Sequence, residues 1–292
     1  MKILIVAKES KYEWERKKFG LSHEEIVKKY GAEGANLEAI LKSHESQTAS
    51  KAKLMQLLPD ADITSISGIK RRIFGYDLVI AFGGDNSFQY VSHYVGETPI
   101  MGINSDPSRS VGALCAWSVS NLADAINAIN SAKYAIENWI TLQAEIDGVP
   151  LMPATSEYFF GEDRRKDMSR HVMIYRGKRF EQKNSGIVIA TGAGSTGWYD
   201  SAGRYIFQKS NKVPKTEQRA VFVITEPYHP KADDVLAGEL LPGEELVLYS
   251  LNDAKGYATA DSWEEYDFSR GKKAVIKISD KPLRVVVPVA SA

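Results

Sequence analysis

The spacing of apolar and polar residues changes character near Gly112. Before it, Ile3–Ala7 is a short unbroken apolar run, the pattern of a strand buried on both faces. Two stretches with apolar residues at helical spacing follow, at about 22–30 and 33–58, the second marked by Leu37, Ile40, Leu41, Leu54 and Leu58. A second apolar run at 77–82 ends in glycines and leads into a helix-like stretch reaching Val95, and 99–104 is a third strand candidate. Strand, helix and strand in this order, with apolar runs rather than alternation, predict an α/β domain with a parallel sheet.

Beyond Gly112 one helix is predicted at 121–132, and the rest is mostly short strand candidates: 140–146, 171–175, 186–190, 220–225, 245–251, 273–279 and 283–287. Turn residues such as Asp147-Gly148, Pro242-Gly243 and Asp280-Lys281-Pro282 separate them. No repeat or low-complexity linker marks a boundary. The expected organisation is an N-terminal α/β domain over 1–112 and a β-rich C-terminal domain over 113–292.

Composition narrows the function classes. The 292 residues carry 37 Lys plus Arg and 37 Asp plus Glu, so no net field draws nucleic acid or an anionic membrane. Recognition of an anionic ligand must come from local geometry. Cys115 is the only cysteine and has no partner for an internal disulfide, which fits a reducing cytoplasm. The apolar start is too short for a signal peptide, and no apolar run approaches the about 20 residues of a membrane span. His23, His44, His93, His171 and His229 lack zinc-ligand spacing, so no structural metal is expected.

The sharpest local feature is Phe82-Gly83-Gly84-Asp85-Asn86-Ser87-Phe88, between a predicted strand and a predicted helix. Glycines at the carboxyl end of a parallel strand let backbone approach phosphates, and the following helix offers free N–H groups. Asp85 cannot itself bind phosphate. It either holds Mg²⁺ or accepts a hydrogen bond from an attacking hydroxyl; alternatively it is only an N-cap.

Gly83-Gly84-Asp85 resembles the signature shared by NAD kinases, diacylglycerol-type lipid kinases and phosphofructokinases, with Asn86 in place of the usual glycine. Asn tolerates left-handed backbone, so the turn can persist. A second segment, Thr191-Gly192-Ala193-Gly194-Ser195-Thr196-Gly197-Trp198, is similar to the NAD kinase nucleotide loop at Thr191, Gly194, Ser195 and Thr196. Trp198 stands where that family usually has Tyr, a feature of its mitochondrial-type branch. Ser156-Glu157 resembles the family's Asn-Glu pair, and Asp261 sits where it has an aspartate near the C-terminus. The run Gly102-Ile103-Asn104-Ser105-Asp106-Pro107 followed by Arg109-Ser110 is again similar to the mitochondrial-type branch. Asn104 either faces the acceptor ribose or ends its strand in a turn.

The resemblance to NAD kinases implies a two-domain fold whose cleft holds a dinucleotide. It implies transfer of the γ-phosphate of ATP to the 2′-hydroxyl of the adenosine ribose of NAD, giving NADP. Asp85 would be catalytic. Gly83, Gly84, Asn86, Asn104, Ser156, Glu157, Thr191, Gly194, Ser195, Thr196, Trp198 and Asp261 would bind the nucleotides. Mg²⁺ would enter with ATP, and homodimers or homotetramers are expected. Two alternatives accompany this: a homologue that binds dinucleotide without transfer, or a kinase of NADH or another nucleoside-like acceptor.

Two other patterns compete. Gly192, Gly194 and Gly197 spell a G-x-G-x-x-G fingerprint, with Glu226 at the tip of the next strand, as in a dinucleotide-binding dehydrogenase. Residues 161–170 concentrate charge, and Arg164, Arg165 or Arg170 there either pairs with a phosphate or is merely solvated.

Overall fold

The computed structural model describes residues 1–164 and 166–289. The chain forms two compact units, one built from Met1–Glu137 and the C-terminal segment from Arg284, the other from Asn138–Leu283.

The first unit is the predicted α/β domain. Its sheet has the order Asp62–Ser65, Ile3–Ala7, Leu78–Gly83, Ile100–Asn104, Leu283–Pro288, Tyr134–Trp139, with Trp117–Ser118 beside the end of Ile100–Asn104. Ile3–Ala7 pairs parallel with both neighbours, and Ile100–Asn104 pairs parallel with Leu78–Gly83 and, at Val285, with the last strand. Ile3–Ala7, Leu78–Gly83 and Ile100–Asn104 are buried at every residue, which is why they read as apolar runs. The chain passes from Ile3–Ala7 to Asp62–Ser65 on one side and then to Leu78–Gly83 on the other. The carboxyl ends of Ile3–Ala7 and Leu78–Gly83 therefore frame a topological switch point, where open α/β sheets leave a crevice.

The boundary lies at Glu137 rather than near Gly112. Helix Leu122–Asn130 packs Leu122, Ala125, Ile126 and Ile129 into the same core as Ile5, Ile80 and Val286, so it belongs to the parallel sheet. The last strand, placed with the β-rich domain by sequence, also returns to this sheet. Period reveals that a segment is helix or strand, but not which sheet it joins.

The second unit holds two six-stranded sheets, antiparallel throughout the pairings described. They share one core, in which Leu142, Met173, Leu248 and Ile276 of one sheet meet Tyr158, Phe160, Ile189 and Phe222 of the other. Helix Trp198–Phe207 covers the second sheet's far face, setting Tyr199 against Val188, Val221 and Val223. Strands Gly186–Ala190 and Ala220–Thr225 are thus covered on both sides and lack alternation. Strand Glu157–Glu162 runs between Gly186–Ala190 and Gly256–Ala260. Among the described residues, no helix is long and apolar enough to cross a membrane.

Candidate functional site

In the first unit the chemistry gathers where the parallel strands end. Gly84 caps helix Asp85–Val95, so Asp85 is the first helical residue rather than the N-cap. Its carboxylate instead accepts backbone N–H bonds from Ala113 at 3.0 Å and Leu114 at 2.7 Å, one on each oxygen. Each oxygen keeps further acceptor capacity. A Cβ on Gly83 would stand 2.3 Å from Ser87 Oγ, and one on Gly84 would stand 2.7 Å from Ser110 Oγ. These glycines admit close neighbours. Asn86 is helical and exposed, with no positive φ, so the expected left-handed turn is absent and Asn replaces the usual glycine without strain.

Asn104 is buried and spends its amide on its own loop. Nδ2 donates to the Ser110 carbonyl at 2.9 Å, and Oδ1 accepts from the Asp106 N–H at 3.1 Å. The strand-ending turn is what this side chain builds. Gly112, at φ +64°, leaves room for it, since a Cβ there would lie 2.4 Å from Asn104 Nδ2. The loop closed in this way carries the Ala113 and Leu114 N–H groups that hold Asp85, so Asn104 fixes Asp85 indirectly.

In the second unit, residues far apart in sequence form one buried cluster. Asp261 is 2% exposed and lies in the left-handed region at φ +50°. Its carboxylate accepts N–H bonds from Thr155 at 2.8 Å, Ser156 at 2.8 Å and Glu157 at 2.9 Å. Its own N–H donates to the Glu157 carbonyl at 2.9 Å. Asp261, read from sequence as a match to a family aspartate, is therefore a clamp on the backbone of Thr155, Ser156 and Glu157.

Glu157 is 8% exposed. Burial, and then the neighbouring Asp261 charge, push its pKa from 4.5 up to about 8. Near neutral pH it is a carboxylic acid able to donate a hydrogen bond.

The loop after Gly186–Ala190 closes against this pair. The Thr191 N–H donates to the Ser156 carbonyl at 2.8 Å. Thr191 Oγ1 donates to the Thr155 carbonyl at 2.6 Å and accepts from the N–H groups of Ala193 and Gly194 at 3.1 and 3.3 Å. Ser195 is fully buried; its hydroxyl lies 2.8 Å from the Gly192 carbonyl and accepts from the Val213 N–H at 2.8 Å. Thr196 Oγ1 donates to the Ala193 carbonyl at 3.2 Å. Each of these hydroxyls, read from sequence as facing a ligand, donates within the loop or to its neighbours. A Cβ on Gly194 would come 2.2 Å from the Ser156 carbonyl oxygen and 2.9 Å from Glu157 Oε2, so glycine alone lets the loop lie on the pair. Trp198 stacks on Phe159 at 4.7 Å and 19° and stays 38% exposed, offering an aromatic surface beside the acid.

The competing patterns fare differently. The G-x-G-x-x-G run does follow a strand and precede a helix, but the next strand, Ala220–Thr225, pairs antiparallel with Gly186–Ala190. A dinucleotide fingerprint needs a parallel βαβ unit, so the dehydrogenase reading fails. Glu226 accepts from Ser185 Oγ at 2.6 Å. In the charged loop, Arg170 pairs with Asp253, Arg164 is exposed, and Arg165 lies outside the described residues. Among the described residues, no three His, Cys, Asp or Glu side chains group so as to hold a metal ion.

Sequence reasoning passed over Lys8 and Lys11 and gave Arg109 no role of its own. With Gly84, Asp106 and Ser110 these line a cavity of about 240 Å³ in the first unit. The available signal was that Lys8 directly follows one apolar strand as Gly84 follows the other.

No protein-family profile matches the chain. In sequence it is similar to the mitochondrial NAD kinase 2 of Rattus norvegicus, at 25% identity over 272 residues, 75% of this chain and 64% of that protein. The chain thus matches just under two thirds of that relative's length. A probable NADH kinase of Oryza sativa subsp. japonica is 25% identical over 249 residues, covering 74% of this chain and 72% of that protein. The NAD kinase of Thermoplasma volcanium is 26% identical over 229 residues, covering 77% and 76%. In fold it matches an NAD kinase from Archaeoglobus fulgidus in complex with ATP, with TM-score 0.66, 15% identity and coverage of 98% and 93%. It also matches a yeast NADH kinase complexed with NADH, with TM-score 0.72, 11% identity and coverage of 99% and 84%. The resemblance read from the motifs is borne out, and the fold is that of the NAD kinases.

Proposed function

We propose that this chain, whose relatives in sequence and neighbours in fold are NAD kinases and NADH kinases, is itself an NAD kinase, transferring the γ-phosphate of ATP to the 2′-hydroxyl of the adenosine ribose of NAD to give NADP. The observation that carries this reading is Asp85, a carboxylate at the carboxyl end of a parallel strand, held by one backbone N–H on each oxygen and still able to accept from a hydroxyl.

In the proposed step the 2′-oxygen bonds to the γ-phosphorus, the bond to the β,γ-bridging oxygen breaks and ADP leaves. Asp85 takes the hydroxyl proton. A carboxylate is a weak base, but a loose phosphoryl-transfer transition state needs little early proton removal. Its value lies in position, since two peptide N–H groups fix the carboxylate's orientation. Mg²⁺ arriving with ATP supplies neutralisation of the phosphate charge. Glu157, kept neutral by burial, donates to an oxygen of the adenosine half, and the open face of Trp198 supports it.

NADH is the second acceptor to consider, because the rice relative is a probable NADH kinase and the yeast neighbour binds NADH. The redox state of the nicotinamide does not alter the chemistry at the 2′-hydroxyl. The test is NADP formation from NAD and Mg-ATP, with NADH in parallel. A homologue that only binds would show a melting temperature raised by dinucleotide and no product from either.

A further inference from the structure

Helix Leu37–Leu57 is 21 residues long yet fully buries only Ile40 and Leu54, so apolar burial alone fixes little of it. Polar side chains between those two residues hold it at one place. Ser43 Oγ donates to Asp106 Oδ2 at 2.5 Å, and Gln47 Nε2, one turn on, donates to the same oxygen at 3.4 Å. Gln47 Nε2 also donates to Ser43 Oγ at 3.0 Å, and its Oε1 accepts from Ser105 Oγ at 3.5 Å. One turn earlier, the Ala39 carbonyl accepts from Arg109 Nη1 at 3.3 Å. Positions 39, 43 and 47 share a helix face, and that face grips residues 105–109.

The gripped loop has no apolar anchor of its own. Between Ser105 and Gly112 it buries no large apolar side chain, and Val111 is 92% exposed. Its bonds converge on Asp106. The carboxylate also accepts from Ser108 Oγ at 2.7 Å, and the carbonyl accepts from the N–H groups of Arg109 at 3.2 Å and Ser110 at 3.0 Å. The Asp106 N–H donates to Asn104 Oδ1, whose amide in turn holds the Ser110 carbonyl. Ala113 and Leu114 follow, and their N–H groups orient the Asp85 carboxylate. One set of hydrogen bonds thus runs from helix Leu37–Leu57 through Asp106 to Asp85.

We propose that Asp106 is a positioning residue for the phosphoryl transfer, held by Ser43 and Gln47 of helix Leu37–Leu57 so that the Ala113 and Leu114 N–H groups stay aimed at Asp85. The reaction it serves rests on the kinase reading. The Asp106 carboxylate is engaged by Ser43, Gln47 and Ser108, so it acts through the loop rather than on substrate. Displacing a reacting group by about 1 Å costs on the order of a hundredfold in rate, so a loosened loop is felt in turnover. The adenosine contacts proposed above, Glu157 and Trp198, belong to the second unit, so dinucleotide affinity is spared.

The experiment uses the full chain as wild type, Asp106→Ala, and Ser43→Ala with Gln47→Ala, each also made with Asp85→Asn. All three positions are partly exposed, and alanine favours the helix, so the double variant breaks the grip without weakening the element that makes it. In the wild-type background each should lower kcat about tenfold or more with KM for NAD unchanged. In the Asp85→Asn background the same substitutions should cost less than about twofold, because residues that act through one group are not additive. Equal losses in both backgrounds would mark a merely structural role and overturn the proposal, as would an unchanged kcat. Amide exchange supplies a readout that needs no turnover. Ala113 and Leu114 should exchange about tenfold faster in both variants while Gly186–Ala190 keeps its protection, and unchanged exchange overturns the link. The two failures are distinguishable. Faster exchange at 113 and 114 with no NADP from the wild type keeps the link and removes the kinase reading. NADP formed at wild-type kcat by Asp106→Ala does the reverse.

Discussion

Glu157 and Asp261 put two carboxyl groups into the same buried surroundings, and among the described residues the backbone N–H bonds go to Asp261. The clamp leaves Asp261 fully bonded, and burial beside it leaves Glu157 holding its proton near neutral pH. The consequence for stability has a definite sign. The Glu157 pKa is 4.5 when unfolded and about 8 when folded, so between those values the native state binds a proton that the unfolded state has lost. Stability associated with this group is complete below the lower value and falls as pH rises toward the upper one. Glu157→Gln removes the titration. Its unfolding free energy should decline less than that of the wild type across this window, by an amount of order a few kcal/mol. Parallel curves would contradict the shift. Asp261→Asn should cost about 1–3 kcal/mol by leaving a backbone N–H facing an amide donor. It should also move the Glu157 titration toward lower pH, which a pH series of thermal melts would show.

Elements built on long-range contact were the hardest to read from sequence, and the loop after Gly186–Ala190 shows why. Its glycines and hydroxyls advertise a nucleotide loop, and they do make a tight one, but its purpose depends on Ser156, Glu157 and Asp261, which no local spacing reveals. The antiparallel neighbour that removes the dehydrogenase reading is equally invisible to a short motif. Where burial is two-sided the sequence was plain: the runs at 77–82 and 186–190 correspond to strands Leu78–Gly83 and Gly186–Ala190. Helix Lys11–Phe19 was passed over because it buries only Tyr12 and Glu15, so no apolar stripe exists, although the Ser10 and Glu13 capping box was available as a signal. Strand Gly256–Ala260, which pairs with Glu157–Glu162, was missed because Gly256, Ala258, Thr259 and Ala260 are small and give no run of large apolar residues. Gly194→Ala tests the loop's dependence on long-range packing. Its Cβ would meet backbone at 2.2 Å, so the melting temperature should drop by the equivalent of about 1–3 kcal/mol, with dinucleotide affinity falling too. Gly31→Ala, in helix His23–Ala32 with open space around it, should instead gain about 0.5–1 kcal/mol. Equal effects from the two would refute the packing argument.

At the scale of the whole molecule, the chain leaves the first unit after Glu137 and returns to it at Arg284. The last strand lies within the parallel sheet, between Ile100–Asn104 and Tyr134–Trp139, with Val285 and Val286 buried. A chain ending at Leu283 should therefore lose amide-exchange protection in Ile3–Ala7 and Leu78–Gly83 while Gly186–Ala190 and Ala220–Thr225 keep theirs. Protection retained in both units would show that the returning strand is dispensable. The same organisation divides the proposed chemistry, with Asp85 in one unit and the Glu157–Asp261 pair in the other, so catalysis and dinucleotide affinity should be separable by mutation. The most direct test is NADP formation from NAD and Mg-ATP by the wild type and by Asp85→Asn, with NAD affinity measured on both. The account predicts product from the wild type, turnover lower by at least about 100-fold in the variant, and NAD affinity little changed. Equal turnover in the two, or no product from a wild type that binds both NAD and ATP, would contradict it.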